Sequence, residues 1–399
     1  MKTKIIILLA CCTLLSCGDY NGIPEKYHTL LNNALENAGN NRAEIEKALK
    51  EVSGNQREGM AFLISYMPNV DLTSLNAEFL LENVNLAYTA RNKFKWAKEI
   101  PDSIFFNEVL PYATMNEKRE NWRPDFYKRF TPYVENCTTL EEAIRAVNTN
   151  IKDELKVEYN TRRRRPDQSP SESIEIGMAS CSGLSILLTD ALRSVGIPSR
   201  IAAAPRWHDN RGNHTWSEVW IDGEWYFTEY YFENLNQAWF LSDAGKAIPG
   251  DERYAIFATS FKSTDRHFPL IWARDLRYVH GIDVSQRYID IYNKAHNSQI
   301  TSENHVKLTI RAYNNKDAKN SESRIKMNVD IFAGADQIGG GSTAGPTQDM
   351  NDVFEIFVEK NKEYTIKYFP EGESKQHTFK VGEKSIDVLI SDSVYLSEQ

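Results

Sequence analysis

The spacing of apolar residues divides the chain into regions of different secondary structure. Between residues 18 and 160, apolar positions recur mainly every three or four residues, as in "AEIEKALKEV", which predicts amphipathic helices. From residue 299 onward the pattern alternates in "HVKLTIRAY", "RIKMNVDIFA", "DVFEIFVEK", "EYTIKYFP", "QHTFKVGEK" and "SIDVLIS", which predicts the short strands of a β-sandwich. The Gly-rich segment 334–352 is expected to be a loop. We therefore expect an α+β protein.

The stretch "GMASCSGLSILLTDALRSVGIPSR", residues 177–200, predicts one helix with a continuous apolar face. Its apolar residues follow helical spacing at Leu184, Leu187, Leu188, Ala191, Leu192 and Val195. Ser180 stands where an N-cap belongs, and Gly196 followed by Pro198 is a stop signal. Cys181 therefore falls in the first turn of a half-buried helix.

A hairpin is predicted in "HTWSEVWIDGEWYFTEYYFE", where alternating runs at 214–221 and 224–232 flank Asp222-Gly223. This turn pairs Ile221 with Glu224 and would place His214 opposite Tyr231.

Glu229 would then be a diagonal neighbour of His214 on the same face of the hairpin. Diagonal neighbours lie about 7–8 Å apart at the backbone, within reach of a glutamate and an imidazole. Glu233 is the other diagonal neighbour, so the register alone leaves both carboxylates open.

Two interpretations compete for Cys181. It can be a small core residue, or it can be a nucleophile at a helix N-terminus. Unpaired amides and the helix dipole at that terminus stabilise a thiolate, which lowers the pKa of the thiol. A reactive thiolate also needs a base and a group that orients the base, and the hairpin offers His214 with a carboxylate.

These segments together resemble the transglutaminase-like cysteine hydrolase family of the papain-like superfamily. The resemblance rests on Cys181 at a helix start, then "ALRSVGIPSR", "HTWSEVW" and "DGEWYFTE". It implies a core, residues 161–298, in which a helix packs on an antiparallel sheet, and a triad of Cys181 as nucleophile, His214 as base and Glu229 as acid. Glutamate stands where the family has aspartate. Glu229 is preferred for its position in the hairpin, and Glu233 remains the alternative acid.

The resemblance implies cleavage or transfer at peptide or amide bonds through a thioester, with no cofactor or metal. Trp216 and Tyr231 are weaker candidates for substrate contacts. A second oxyanion donor is expected upstream of Cys181, where Ser173 and Ser180 are only nearby. The competing hypothesis is a catalytically inactive fold that binds protein or glycan, because the usual aspartate is replaced.

The N-terminal sequence "MKTKIIILLACCTLLSCGDYNG" resembles the signal peptide of a bacterial lipoprotein, residues 1–17. Two lysines precede a short apolar run, and the run ends in a lipobox-like Leu-Leu-Ser-Cys-Gly. Cleavage before Cys17 and lipidation of its sulfur would anchor the protein in the cell envelope, in the outer membrane or at the surface if the cell is Gram-negative. The alternative is an ordinary secretory signal with an accidental cysteine.

Charge and cysteine content narrow the possible partners. A net charge of −8 argues against a nucleic-acid partner and leaves a peptide, protein or glycopeptide substrate. The basic run in "TRRRRPDQSPSES" is expected to be a solvated loop. Outside the signal peptide only Cys137 and Cys181 remain. A disulfide between them is therefore a third interpretation of Cys181, because exported proteins form disulfides.

Overall fold

The computed structural model describes residues 20–208, 210, 212–232, 234–300, 304–317, 320–347, 353–370 and 373–398. Contacts divide the chain into two compact units, Met1–Asn85 and Leu86–Gln399. Over the described ranges, no helix has both the length and the apolar content needed to cross a membrane.

The first unit is helical, as its apolar spacing predicts. Its helices are α1 His28–Asn37, α2 Arg42–Glu51, α3 Arg57–Tyr66, α4 Asn69–Leu72 and α5 Ala77–Lys93, the last of which continues past Asn85, and its 3₁₀ turns are Glu25–Tyr27, Gly39–Asn41 and Gly54–Gln56. Helices α1 and α2 each bury one side: α1 buries Leu31 and Leu35, and α2 buries Ile45 and Leu49. These four-residue intervals put each pair on one helix face.

The second unit begins with helices and continues with mixed elements. Its helices are α6 Lys95–Lys98, α7 Asp102–Glu108, α8 Arg123–Val134, α9 Leu140–Leu155, α10 Pro170–Ile176, α11 Cys181–Ser194, α12 Leu241–Ala244 and α13 Ser285–Ile300. Its first strands are β1 Glu158–Tyr159, β2 Met178–Ala179, β3 Ser199–Ala204, β4 His214–Ile221, β5 Glu224–Thr228, β6 Phe257–Ser260, β7 Arg266–His267 and β8 His280–Asp283. Helices α8 and α9 both contact α11.

Strands β3 to β8 form an antiparallel sheet of six, in the order β5-β4-β3-β6-β8-β7, whereas β1 and β2 pair with each other in parallel. Helix α11 packs on β3 and β4 and buries Leu187, Leu188 and Leu192 completely. The predicted arrangement of one apolar helix on an antiparallel sheet is therefore confirmed. It places the first turn of α11 near the start of β4.

The hairpin forms in the predicted register as far as Thr228, with Ile221 paired to Glu224. The φ angles of Asp222 (49°) and Gly223 (100°) are both positive, as a two-residue hairpin turn requires. The prediction of a strand to residue 232 was wrong, because β5 ends at Thr228. Tyr231 takes a left-handed φ of 59°, and no His214–Tyr231 pair forms.

The remaining strands form two sheets over one core. They are β9 His305–Ala312, β10 Asn328–Ala333, β11 Asp336–Ser342, β12 Phe354–Glu359, β13 Glu363–Tyr368, β14 Lys375–Lys380, β15 Ile386–Ile390 and β16 Val394–Glu398, with a 3₁₀ turn at Ser321–Ser323. The sheet orders, within the described residues, are β11-β10-β13-β14 and β12-β9-β15-β16. Leu308 and Ile310 from one sheet and Val329 and Ile331 from the other share a buried cluster, so the sheets pack face to face.

Strand β11 lies within the Gly-rich segment that was expected to be a loop, so that expectation was wrong. Gly339 and Gly341 lie against the opposite sheet: a Cβ on Gly341 would stand 2.6 Å from the Phe354 ring. Close packing of the two sheets therefore requires glycine at these positions. Because glycine is typical of loops, the sequence of β11 does not predict a strand.

Candidate active site

The N-terminus of α11 places Cys181 at the first position of the helix. The Ser180 hydroxyl accepts a hydrogen bond from the Gly183 amide at 3.0 Å and donates one to the Pro166 carbonyl at 2.6 Å. The helix ends before Gly196, whose φ is 79°. Cap, helix and stop are thus confirmed, and the half-buried Cys181 thiol lies at the positive end of the helix dipole.

Hydroxyl groups fix the first turns of α11 against β4. Ser182 Oγ and Thr215 Oγ1 share a hydrogen bond of 3.0 Å, and the Ser217 hydroxyl donates to the Ser185 carbonyl at 3.3 Å. All four residues are buried. Because Thr215 directly follows His214, these bonds hold Cys181 next to the imidazole.

The three side chains predicted as a triad lie together. His214 Nε2 hydrogen-bonds to Glu229 Oε1 at 2.5 Å, and the Cys181 thiol lies near enough to the imidazole for each group to shift the pKa of the other. Since Nε2 faces the carboxylate, Nδ1 is the ring nitrogen left for the thiol. The contact between Glu229 and His214 does not depend on the predicted His214–Tyr231 pair, because Glu229 is the residue just after β5 and reaches the ring from there.

Electrostatics favour a thiolate paired with an imidazolium. Burial raises the pKa of Cys181, but the hydrogen bond and charge of His214, with the amides of Thr215 and Ser182, outweigh it and lower the pKa below its usual value. Burial lowers the pKa of His214, but the Glu229 charge and the hydrogen bonds with Cys181 and Glu229 raise it to about 10. Each charge of the pair therefore stabilises the other.

Asn148, a buried residue of α9, holds the segment that carries the acid. Its side-chain amide donates to Thr228 Oγ1 at 2.8 Å and to the carbonyls of Glu229 at 3.0 Å and Phe232 at 2.6 Å. Its Oδ1 accepts from the Phe232 amide at 3.2 Å. This contact spans about eighty residues of sequence, and no local signal identifies it.

Aromatic rings surround the imidazole. Trp239, Phe240 and Trp216 have ring centroids 5.1, 5.2 and 5.7 Å from that of His214. They exclude water from one side of the ring, which strengthens its interaction with Glu229. Sequence reasoning missed Trp239 and Phe240, because they lie in an irregular segment after the hairpin.

The two candidate substrate contacts differ in exposure. The exposed fraction of Trp216 is 0%, so Trp216 is a core residue, and its ring stacks against that of His214. The prediction that Trp216 contacts substrate is therefore wrong. Its indole donates to the Tyr288 hydroxyl at 2.6 Å, and Tyr288 donates to Glu218 at 2.6 Å. Tyr231 is 50% exposed, beside the acid-bearing segment, and its ring lies under the Lys152 ammonium at 5.2 Å.

Glu218 belongs to a separate buried network. Its carboxylate pairs with Arg200 at 2.8 Å and with Arg287. Burial raises the pKa of Glu218, but the two arginines and Tyr288 outweigh it and keep the pKa below its usual value. Glu218 is thus committed to a structural ion pair, which leaves Glu229 as the described carboxylate on His214.

The other candidate groups take no part in this geometry. Cys137 and Cys181 are free thiols rather than a disulfide. Ser173 accepts a hydrogen bond from Gln168 at 3.4 Å, and the Ser180 hydroxyl is spent on Pro166, so neither hydroxyl is identified as the second oxyanion donor.

Glu233 and Cys17 lie outside the described residues. Within the ranges that are described, no group of three or more His, Cys, Asp or Glu side chains is placed to hold a metal ion.

Comparison with solved structures gives distant similarities. A protein described as a "Putative Cysteine Protease" from Cytophaga hutchinsonii is 16% identical, with a TM-score of 0.28 over 35% of this chain and 45% of that one. Red sea bream transglutaminase is 9% identical, with a TM-score of 0.25 over 67% of this chain and 58% of that one. The matched regions span less than two thirds of each of these two known proteins.

No curated protein matches the chain. Comparison with protein families is more informative, because residues 128–230 match the Transglutaminase-like superfamily. The matched segment contains α11, β3 and β4–β5, and with them all three side chains of the predicted triad. The protein therefore contains a transglutaminase-like core.

Proposed function

We propose that the protein is a lipid-anchored, transglutaminase-like cysteine hydrolase that acts on peptide or amide bonds. One observation carries the proposal: the His214 imidazole hydrogen-bonds to Glu229 at 2.5 Å and lies near enough to the Cys181 thiol to lower its pKa. This is the arrangement of nucleophile, base and orienting acid that acyl transfer by a cysteine requires.

The first half-reaction breaks the amide bond. His214 takes the proton of Cys181, and the thiolate attacks the carbonyl carbon of the substrate. Amides at the N-terminus of α11 stabilise the oxyanion of the tetrahedral intermediate. The intermediate collapses when the amine leaves with the proton from His214, and the acyl group remains on sulfur as a thioester.

The second half-reaction releases the acyl group. Water, deprotonated by His214, attacks the thioester carbonyl, and the carboxylic acid leaves as Cys181 recovers its proton. An amine in place of water would complete transamidation through the same steps. Glu229 keeps the imidazole oriented and stabilises its positive charge throughout.

We also propose that the protein acts outside the cytoplasm, in the cell envelope of a bacterium. The lipobox-like sequence around Cys17 supports attachment to a membrane through lipid. The substrate is then a peptide, protein or glycopeptide, and no cofactor takes part. An inactive fold that binds protein or glycan is the competing proposal, because glutamate replaces the usual aspartate of the triad.

Thiol alkylation against pH tests the activated pair. We expect iodoacetamide to modify Cys181 rapidly well below pH 8, because its lowered pKa keeps the thiolate populated there. Cys137 is the internal control: burial and then Glu142 raise its pKa, so its modification should begin at higher pH. Mass spectrometry of the two peptides follows both rates in one sample.

Variants of the base and acid give the sign of each effect. His214→Ala removes the opposite charge, so the Cys181 profile should move up by about 1–3 pH units. Glu229→Gln should lower the pKa of His214 and shift the profile in the same direction, whereas Glu229→Asp keeps the charge and should shift it less. An ordinary thiol profile for Cys181, unchanged in His214→Ala, would reject the enzyme and favour the binding protein.

A further inference from the structure

A cavity of about 1050 Å³ lies at the end of the sheet that carries His214. Its lining includes Pro205, which follows β3, and Asn213, which precedes His214. Ala204 of β3 is the direct partner of His214 across the ladder. The cavity and the triad therefore share one end of the β3–β4 pair.

Arginines from separate segments converge on this cavity. They are Arg206, Arg253, Arg266, Arg274 and Arg277. Against these five cations the lining contains two carboxylates, Glu252 and Asp265, which leaves a formal excess of three positive charges. The whole chain has a net charge of −8, so the charge of the cavity lining is opposite in sign to that of the chain as a whole.

The described residues do not neutralise the arginines of the cavity. Within those ranges, none of the five forms an ion pair with a carboxylate. Arg206 donates to the Asn210 side chain at 3.2 Å, and Arg266 donates to the Gly250 carbonyl at 3.3 Å. Both of these hydrogen-bond partners are neutral. Arg266 also interacts with the Asp283 carboxylate, whose pKa it lowers, so the positive charge left for a ligand is chiefly that of the other four arginines.

The basic run that is visible in the sequence behaves differently. Arg164 pairs with Glu175 at 2.7 Å, and Arg165 pairs with Glu172 at 2.6 Å. That run is therefore partly neutralised by the next helix. The fold assembles its uncompensated positive charge elsewhere, from residues that are scattered along the chain.

We infer that this cavity binds the side-chain carboxylates of an acidic peptide and so presents that peptide to the triad. A guanidinium binds a carboxylate through two parallel charge-assisted hydrogen bonds. Several guanidinium groups around one cavity therefore favour a ligand that carries several carboxylates. The volume is at the upper end of the range for ligand sites, about 300–1,000 Å³. Positive potential in a cleft also speeds the approach of an anionic substrate.

A peptide is favoured over other polyanions for two reasons. The cavity lies at the end of the β3–β4 pair that carries His214, whose proposed chemistry acts on amide bonds, and this part of the inference rests on the proposed function. Nucleic acid requires an extended basic surface, whereas these five arginines line a single cavity of an acidic chain.

Binding of labelled hexaglutamate to the full chain tests the inference, with fluorescence anisotropy as the readout. Cys181→Ala prevents turnover, so binding is measured independently of catalysis. We expect saturable binding that weakens as salt rises. Arg274→Gln combined with Arg277→Gln should weaken it at least about tenfold. Both arginines are exposed, so folding should be preserved, which the melting temperature checks.

A matched control removes the same charge elsewhere. Lys375→Gln combined with Lys380→Gln changes two exposed cations of β14 and should leave hexaglutamate binding unchanged. Equal weakening by both pairs, absence of saturable binding, or binding of hexagalacturonate in preference to hexaglutamate would each overturn the inference. The last result would identify an anionic glycan as the ligand.

The two proposals fail separately. If Cys181 is activated but hexaglutamate does not bind, the triad stands and the acidic-peptide inference falls. If hexaglutamate binds at the arginines but Cys181 reacts as an ordinary thiol, the proposed enzyme falls and the cavity remains a binding site for acidic peptides.

Discussion

At the scale of single residues, the proposed triad depends on a fourth side chain, that of Asn148. Asn148 bonds to the chain at Thr228, Glu229 and Phe232, and so fixes the direction in which the acid leaves β5. A carboxylate on an irregular segment orients a base only if its backbone is held. We therefore assign Asn148 as a positioning residue.

Asn148→Ala should lower both stability and the reactivity of Cys181. Loss of the buried amide leaves several polar groups unpaired, so the free energy of unfolding should fall by about 1–3 kcal/mol, measured by urea denaturation. Because Glu229 is then less well aimed at His214, the pKa of the imidazole should fall. The alkylation profile of Cys181 should accordingly move to higher pH.

A control on the same helix separates positioning from general stability. Asn150 bonds to Ala146 in its own helix at 2.8 Å, so Asn150→Ala should leave the Cys181 profile where it is. If Asn148→Ala loses stability but keeps the alkylation profile of the unsubstituted protein, the role of Asn148 is structural only.

At the scale of elements, the glycines of β11 set the distance between the two sheets of the sandwich. Gly341→Ala should lower the free energy of unfolding by about 1–3 kcal/mol, because its Cβ would stand 2.6 Å from the Phe354 ring and overpack the core. Urea denaturation measures this. Gly382→Ala is the control, since the atom nearest to its added Cβ is the Glu398 carboxylate oxygen at 3.7 Å. A smaller loss at Gly341 than at Gly382 would contradict tight sheet packing.

The elements that sequence predicts correctly are those with local signals. Ser180 caps α11 through a bond three residues away, and Asp222-Gly223 sets the hairpin register by its own backbone angles. Because both signals are local, the sequence alone is enough to single out Cys181 and His214.

The features that sequence misses depend on contacts far along the chain. Strand β5 ends early where α9 holds the next residues through Asn148, and β11 is defined by the opposite sheet rather than by its own side chains. The arginine-lined cavity is likewise invisible, because the segments that meet there share no pattern. Tertiary contacts override local preference in each case.

At the scale of the whole molecule, the sequence predicts a sandwich domain at residues 299–399, whereas contacts group it with the core in Leu86–Gln399. Strand β11 contacts α12, and α13 contacts β9 and β12. The Lys246 ammonium, just after α12, lies 5.9 Å from the Phe354 ring of the sandwich. These contacts join the sandwich to the part of the molecule that carries the triad.

Tryptophan fluorescence can show whether core and sandwich unfold together, because all eight tryptophans lie between Trp96 and Trp272 and none lies in the sandwich. If Leu86–Gln399 unfolds as one unit, Gly341→Ala in the sandwich should lower the urea midpoint of the fluorescence transition as much as that of far-UV circular dichroism. In the opposite case, the fluorescence midpoint of Gly341→Ala equals that of the unsubstituted protein, and only the circular dichroism transition moves to lower urea. That result would show that the sandwich unfolds independently. The triad would then need no support from it.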